Sequence, residues 1–175
     1  MSAEIRFYRH GETEWNKCGR LQGWLDSSLT EAGRNAARLV QWAPDLVFCS
    51  DLPRARETAK LMFPDCELRQ SAALREIYLG DWQGQSIKDL QQDAQYSCYM
   101  QSPGKFEATT QESFDEVTAR MLQFYREIQE LPQRKIAVVS HGVAIACLAT
   151  LLQRKPRAQL WDSMLAGCEW ISFSN

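Results

Sequence analysis

Short apolar runs alternate with segments of helical periodicity along the chain, and this alternation restricts the fold more than any other feature. The runs Ile5–Tyr8, Asp45–Cys49 and Lys135–Val139 have the length of buried strands, and polar turns follow them. Strands that alternate with helices form a mostly parallel sheet covered by helices on both faces. The sequence therefore predicts an α/β fold with three layers, α/β/α.

Capping residues mark where the intervening helices begin. Ser113 and Glu116 have the spacing of a capping box, which places the longest helix after them. The first helix is expected to bury a face that includes Ala36 and Leu39. The predicted helices are Thr30 to before Pro44, Pro53 to about Phe63, Ser113 to about Glu130, and Gly142 to about Leu152.

The 175 residues fit one domain, and we expect a single domain over residues 1–175. Residues 67–84 have an irregular or extended pattern, and a short helix is expected at Ser86–Gln92. Residues 94–112 are expected to be a short insertion or lid, and Cys168–Phe173 a closing strand.

Composition excludes several classes of protein. The net charge of −2 gives no general attraction to nucleic acid. No apolar run has the roughly 20 residues of a membrane span, and the N-terminus lacks the pattern of a cleaved secretory signal. The six cysteines contain no Cys-x-x-Cys pair, which is typical of thiols in a reducing compartment. We therefore expect a cytoplasmic protein without a nucleic-acid or membrane partner.

The two histidines, His10 and His141, occupy equivalent places. Each stands just past a predicted strand and is followed by a glycine. Ligands of open α/β sheets bind at the carboxyl ends of the strands, so both imidazoles are expected at one edge, facing one ligand. The glycines would let the backbone turn and approach that ligand. Two unrelated histidines or a metal site are the alternatives, although no His-x-x-x-His spacing supports a metal.

Two arginines stand beside these histidines. Arg9 precedes His10, and Arg54 falls in the first turn of the helix that follows the second strand. A guanidinium group donates two parallel hydrogen bonds to phosphate, and a helix N-terminus adds backbone donors. The residues therefore indicate a phosphate pocket.

Four motifs follow one another along about residues 4–150. They are Arg9-His10-Gly11-Glu12-Thr13-Glu14-Trp15-Asn16, Ser50-Asp51-Leu52-Pro53-Arg54-Ala55, Leu74-Arg75-Glu76 with Gly80-Asp81-Trp82-Gln83-Gly84, and Val139-Ser140-His141-Gly142. In this order they are similar to the motifs of the histidine phosphatase superfamily, whose fold is phosphoglycerate mutase-like.

This resemblance implies phosphoryl transfer without a metal or other cofactor. His10 would be the nucleophile that becomes phosphohistidine, and Glu76 the general acid and base. The remaining positions would bind phosphate or substrate: Arg9, Asn16, Arg54, His141 and Gly142.

The implied activity is hydrolysis of a small phosphorylated metabolite. Among family members the chain resembles the α-ribazole-phosphate phosphatases and also small phosphatases of broad specificity. A phosphoglycerate mutase is an alternative, although residues 85–112 are short and offer only Lys88 and Lys105 as cations. The second alternative to a phosphatase is a catalytically weak regulatory module that binds phosphate.

Departures from the family pattern concern the substrate more than the chemistry. Ser28 replaces a usual proline, and Leu79 stands where an aromatic residue is frequent. Val143 follows Gly142 where a second glycine is common, and a β-branched residue there predicts an altered backbone and a weaker amide contact to phosphate. Trp15 or Trp82 is a candidate for the wall of the pocket.

Overall fold

The computed structural model describes residues 3–173, so the ends of the predicted domain, residues 1–2 and 174–175, lie outside it. Within the described range no helix is both long and apolar enough to cross a membrane. The strands are β1 (Glu4–Arg9), β2 (Leu46–Ser50), β3 (Leu68–Ser71), β4 (Lys135–Ser140) and β5 (Trp170–Ser172). The α-helices are α1 (Glu14–Lys17), α2 (Glu31–Arg38), α3 (Pro53–Met62), α4 (Ile87–Leu90), α5 (Ala94–Gln101), α6 (Phe114–Gln129) and α7 (Gly142–Leu152).

The five strands form one mostly parallel sheet in the order β3-β2-β4-β1-β5. Only β5 runs antiparallel to its neighbour β1 among the described strands. β1 and β4 lie side by side in a register that pairs Arg9 with Ser140. The residues that follow these two strands therefore begin next to each other.

Alternating strand residues face two separate cores. On one face, Phe7 and Val138 pack in a cluster with side chains of α6 and α7. On the other face, Tyr8 and Val139 pack with side chains of α2 and α3. The sheet thus has helices on both faces, which confirms the predicted α/β/α fold.

The capping signals begin the helices as predicted. The Thr30 side chain accepts a hydrogen bond from the Gly33 N–H at the start of α2. Pro53 is in the first turn of α3, and Ser113 and Glu116 form a capping box on α6. Such caps satisfy backbone N–H groups that have no partner inside the helix.

Two local predictions were wrong. The buried residues of α2 are Gly33 and Ala37, and Leu39 is 77% exposed. The small buried residues let α2 pack closely, and the helix ends at Arg38, before the expected face is complete. The polar turn predicted after the first strand contains the short helix α1, which Thr13 and Asn16 stabilise with a capping box.

Residues 94–112 contain α5 and a 3₁₀ turn at Pro103–Lys105. Tyr96 and Tyr99 of α5 are buried, and both rings lie about 5.4 Å from the ring of Trp82. Aromatic contacts of this kind anchor α5 to the body of the molecule. A lid function of this segment stays a prediction.

Candidate active site

The ends of β1 and β4 bring the two histidine rings together. The ring centroids of His10 and His141 lie 5.1 Å apart, and the two side chains are buried. Their backbones are also joined, because the His10 N–H donates to the carbonyl of Ser140. The sequence prediction that both imidazoles share one edge of the sheet is therefore correct in the structure.

The orientation of the His10 ring makes one nitrogen available for chemistry. Its Nδ1 lies 2.7 Å from the Gly11 carbonyl oxygen, which can only accept, so Nδ1 carries the proton. Nε2 then holds a lone pair and faces the Arg54 guanidinium at 3.4 Å. Burial, with Arg54 and Arg9 nearby, holds the pKa of His10 well below its usual value. The ring is neutral at pH 7, as a nucleophile must be.

His141 is buried more completely than His10, and its ring has fewer hydrogen bonds. Neither ring nitrogen has a hydrogen-bond partner among the described residues. Burial is the main cause that lowers the pKa of His141 well below its usual value, and Arg54 is the next. A buried polar group without a partner is costly, so this ring favours a ligand that bonds to it.

Arg54 is fixed by the loop that precedes α2. Its guanidinium donates to the carbonyls of Gly23 and Leu25 at 2.7 and 2.8 Å, and to the Asp26 carboxylate at 2.9 Å. Burial lowers the pKa of Arg54, and Asp26 counteracts that effect. Thr58 lies one turn further along α3. Its hydroxyl accepts a hydrogen bond from the Gly11 N–H and donates one to the Arg54 carbonyl, and these bonds connect α3 to the backbone after His10.

Arg9 and Asn16 complete the cationic and polar side of the site. Arg9 donates to the Leu165 carbonyl at 2.6 Å, and the rest of its guanidinium lines the cavity beside His10. The Asn16 oxygen accepts from the Thr13 N–H, so its side-chain NH₂ group is the part left to contact a ligand. Of the predicted phosphate contacts, Arg9, Asn16 and Arg54 therefore line one cavity with His10, whereas His141 and Gly142 are not among its lining residues.

Glu76 caps helix α7 with its side chain. The carboxylate accepts hydrogen bonds from the N–H groups of Val143 at 3.1 Å, Ala144 at 2.9 Å and its own neighbour Ile77 at 2.9 Å. A helix N-terminus stabilises a negative charge through its unpaired N–H groups and its dipole. These bonds fix the carboxylate at the start of α7, the helix that follows His141.

Arg120 of α6 holds the backbone of the Glu76 segment. Its guanidinium donates to the carbonyls of Ala73, Arg75 and Glu76 at 2.7–3.0 Å and forms an ion pair with Glu112 at 2.8 Å. The Trp24 indole N–H donates to the same Glu76 carbonyl at 2.8 Å. Sequence reasoning missed Arg120, because an arginine at an ordinary helical position has no signal of its own.

Close packing against backbone requires a glycine at position 11, which is a reason other than the one predicted. Neither Gly11 nor Gly142 has a positive φ. A Cβ on Gly11 would lie 2.8 Å from the Gly33 carbonyl oxygen, and one on Gly142 would lie 2.7 Å from Met164 and 3.2 Å from the Arg9 guanidinium carbon. The crowding comes from the protein itself.

Val143 does not distort the backbone, contrary to the prediction from its β-branched side chain. It lies in the first turn of α7, where any residue can adopt helical angles. Its N–H donates to Glu76. The Val143 amide therefore bonds to a carboxylate of the protein itself, that of Glu76.

A cavity of about 410 Å³ opens onto Arg9, His10, Arg54 and Glu76. Trp15 lines it, as one of two predicted candidates, whereas Trp82 does not and packs in the core instead. Trp161, which follows α7, also lines it and was not predicted. Within residues 3–173 no group of three His, Cys, Asp or Glu side chains is placed to hold a metal ion.

These groups suit one kind of chemistry. A neutral imidazole nitrogen faces the Arg54 guanidinium, and Arg9 and the Glu76 carboxylate line the same cavity. Cations stabilise the charge on the equatorial oxygens of a phosphoryl group in transfer, and a carboxyl group can move the accompanying proton. The fold and the site together define an α/β enzyme of phosphoryl transfer.

Comparison with known proteins identifies the family. The model of the Histidine phosphatase superfamily (branch 1) matches residues 5–174, and the chain belongs to this superfamily. A relative named Adenosylcobalamin/alpha-ribazole phosphatase, from Salmonella typhimurium, is 34% identical over 163 residues, which cover 87% of this chain and 81% of the relative. A relative named "Probable phosphoglycerate mutase GpmB", from Photorhabdus laumondii, is 33% identical over 156 residues, which cover 83% of this chain and 72% of the relative.

A solved structure has the same fold. Bacillus stearothermophilus YhfR superposes with a TM-score of 0.89 at 31% identity, over 96% of this chain and 89% of that one. The fold expected from the motifs, phosphoglycerate mutase-like, is therefore confirmed.

Proposed function

We propose that this chain is a phosphatase that hydrolyses a small phosphomonoester through a phosphohistidine at His10, without a metal ion. The observation that carries the proposal is the His10 ring, whose protonated Nδ1 and buried, neutral state leave a lone pair on Nε2, where the Arg54 Nε–H approaches at 3.4 Å. Nε2 faces Arg54, and Arg9 lines the same cavity. Membership of the superfamily, with a phosphatase among the relatives, supports the assignment.

In the first step, His10 Nε2 attacks phosphorus and the bond from phosphorus to the ester oxygen breaks. The phosphoryl group passes to Nε2, and Arg9, Arg54 and Asn16 hold its oxygens. The ester binds as its monoanion and gives its proton to the Glu76 carboxylate, which passes it to the leaving alkoxide.

In the second step, water attacks the phosphohistidine and inorganic phosphate leaves. Glu76, now a carboxylate, accepts a proton from the attacking water. The bond between Nε2 and phosphorus breaks, and the neutral His10 ring is restored. His141 is the added donor to the phosphoryl oxygens, since both of its nitrogens lack a partner among residues 3–173.

The final acceptor in this proposal is water, whereas a mutase would return the phosphoryl group to a carboxylated alcohol. Lys88 and Lys105, the cations of residues 85–112, are exposed and are not among the residues that line the cavity. A carboxylate in the cavity would therefore lack a lysine partner from this segment. That observation favours hydrolysis, although one relative bears a mutase name.

The expected partner is a small phosphorylated metabolite, and the expected compartment is the cytoplasm. All six cysteines are free thiols, which suits a reducing compartment. Neither nucleic acid nor a membrane is proposed as a partner.

The test measures hydrolysis of p-nitrophenyl phosphate in excess EDTA, with acid-labile ³²P on the protein followed in rapid quench. We expect turnover and a labelled intermediate in the wild type, and neither in His10→Asn. Glu14→Gln, a charge change in α1 outside the cavity lining, is the control and should retain both. Turnover that persists in His10→Asn would overturn the nucleophile, and phosphate binding without turnover would support the regulatory module.

A further inference from the structure

A turn that precedes β5 holds Arg9 through its backbone and its side chain. We call residues 165–169 the Arg9 turn. The Arg9 N–H donates to the Glu169 carbonyl at 3.0 Å, and the Arg9 carbonyl accepts from the Cys168 N–H at 3.0 Å. The guanidinium donates from Nη1 to the Leu165 carbonyl at 2.6 Å. The position of this guanidinium therefore depends on the conformation of the Arg9 turn.

The Arg9 turn is closed by two bonds between the same two residues. The Glu169 N–H donates to the Ala166 carbonyl at 3.1 Å, and the Glu169 carboxylate accepts from the Ala166 N–H at 2.8 Å. Cys168 lies between them with a φ of +66°, a conformation that is unfavourable for a residue with a Cβ. The conformation of the turn therefore relies on the bonds that close it.

One peptide group connects Glu169 to Arg9. In the peptide between Leu165 and Ala166, the carbonyl accepts from the Arg9 guanidinium and the N–H donates to the Glu169 carboxylate. Because a peptide group is planar, the direction of its N–H also sets the direction of its carbonyl. The carboxylate at one end of this peptide therefore determines where the acceptor of Arg9 lies at the other end.

Charge strengthens this connection. The carboxylate lies at the N–H end of the peptide dipole and the guanidinium at the carbonyl end, and hydrogen bonds to charged groups are stronger than neutral ones. Hydrogen bonds in series also polarise one another. Within residues 3–173 Glu169 forms no ion pair, so the bond to Ala166 is the role that the structure supports for its charge.

We propose that Glu169 is a positioning residue, which holds the Arg9 guanidinium in place for a phosphoryl group through the peptide between Leu165 and Ala166. The proposal rests on the function proposed above and adds a residue that is outside the cavity lining. A guanidinium that is already held in place loses little freedom when its ligand binds, which favours binding. Without the carboxylate the peptide can rotate, and Arg9 loses its fixed acceptor.

The experiment measures the Kd of orthovanadate, an analogue of the phosphoryl group, by calorimetry. Glu169→Ala removes the acceptor of the Ala166 N–H, and we expect it to raise the Kd about 10-fold. Glu169→Gln keeps an oxygen that accepts from this N–H, so its Kd should stay within about 3-fold of the wild type. Glu169 is exposed, so both variants should fold, which urea denaturation checks.

A double-mutant cycle separates positioning from a general effect on the structure. Arg9→Met should raise the Kd about 100-fold. In that background Glu169→Ala should raise it no further, because the side chain through which Glu169 acts is absent. A residue that only supports the fold would cost the same factor with and without Arg9. Asp162→Ala, which removes another exposed carboxylate outside the cavity lining, is the control and should bind vanadate as the wild type does.

The outcomes separate the two proposals. An unchanged Kd in Glu169→Ala, an equal loss in Glu169→Gln, or an equal factor with and without Arg9 would overturn the positioning role, while hydrolysis through His10 would stand. A wild type that binds vanadate but forms no labelled intermediate would refute the phosphatase proposal, and the cycle would still decide the role of Glu169, since it needs binding alone. A wild type that binds no vanadate would overturn both.

Discussion

Replacement of Arg120 tests whether the backbone of the Glu76 segment determines the position of the acid. Arg120→Met removes the donors to the carbonyls of Ala73, Arg75 and Glu76 and leaves Glu112 without its ion-pair partner. Both members of the ion pair are less than one-fifth exposed, at 19% and 18%. Breaking such a pair, with carbonyls that also lose a donor, costs about 3 kcal/mol in free energy of unfolding.

The same change is expected to reduce catalysis without touching the substrate. The Trp24 indole still donates to the Glu76 carbonyl, so the segment shifts but remains attached. A shift of about 1 Å in a catalytic group costs about 100-fold in rate. We therefore expect kcat to fall about 100-fold for an alkyl ester, which needs the acid to protonate its leaving group.

The assay compares n-propyl phosphate with p-nitrophenyl phosphate, whose leaving group needs little protonation. Arg120→Met should lower kcat for the alkyl ester at least about 10-fold more than for the aryl ester. Arg126→Met, on the exposed side of α6, is the matched control and should change neither rate nor stability. If Arg120→Met loses stability but both esters slow equally, Arg120 supports only the fold and the positioning argument fails.

Two further predictions concern pH and the cap of α7. Because burial lowers the pKa of His141, the unfolded chain binds more protons than the folded chain below about pH 6.5, and stability falls as the pH falls. Between about pH 7 and about pH 5, His141→Gln should therefore lose about 2 kcal/mol less stability than the wild type. Urea denaturation at both pH values measures this, and equal losses in the two proteins would contradict it. Glu76→Gln and Glu76→Ala should both lose about 100-fold or more in kcat for alkyl esters. The alanine variant should also lose about 1–2 kcal/mol of stability, and the glutamine variant less, because its amide oxygen can still accept from two of the three N–H groups. Equal stability of these two variants would exclude the cap.

The sequence was sufficient for the parts of the site that obey rules of architecture. His10 and His141 meet because both follow parallel strands, and β1 and β4 are neighbours. The start of α3 places Arg54 correctly because Pro53 marks the first turn. Each of these predictions needs only local pattern and one general rule about sheets.

The remainder depends on contacts between distant segments. The bonds from Val143 and Ala144 to Glu76 join residues that local periodicity treats separately. The same holds for Asp26, which neutralises Arg54 from a loop without regular pattern. Leu39 was misplaced because the length of a helix decides which face is buried, and sequence places helix ends poorly.

The neighbouring positions of β1 and β4 have a consequence for folding. β1 is the first strand of the chain and β4 the fourth, so their pairing closes a long loop, with an entropic cost that local contacts do not carry. A growing or truncated chain that stops before β4 contains His10 but has no partner strand to bring a second imidazole beside it. The proposed affinity for phosphate, where it depends on both imidazoles, is therefore acquired late and would report that β1 and β4 have paired.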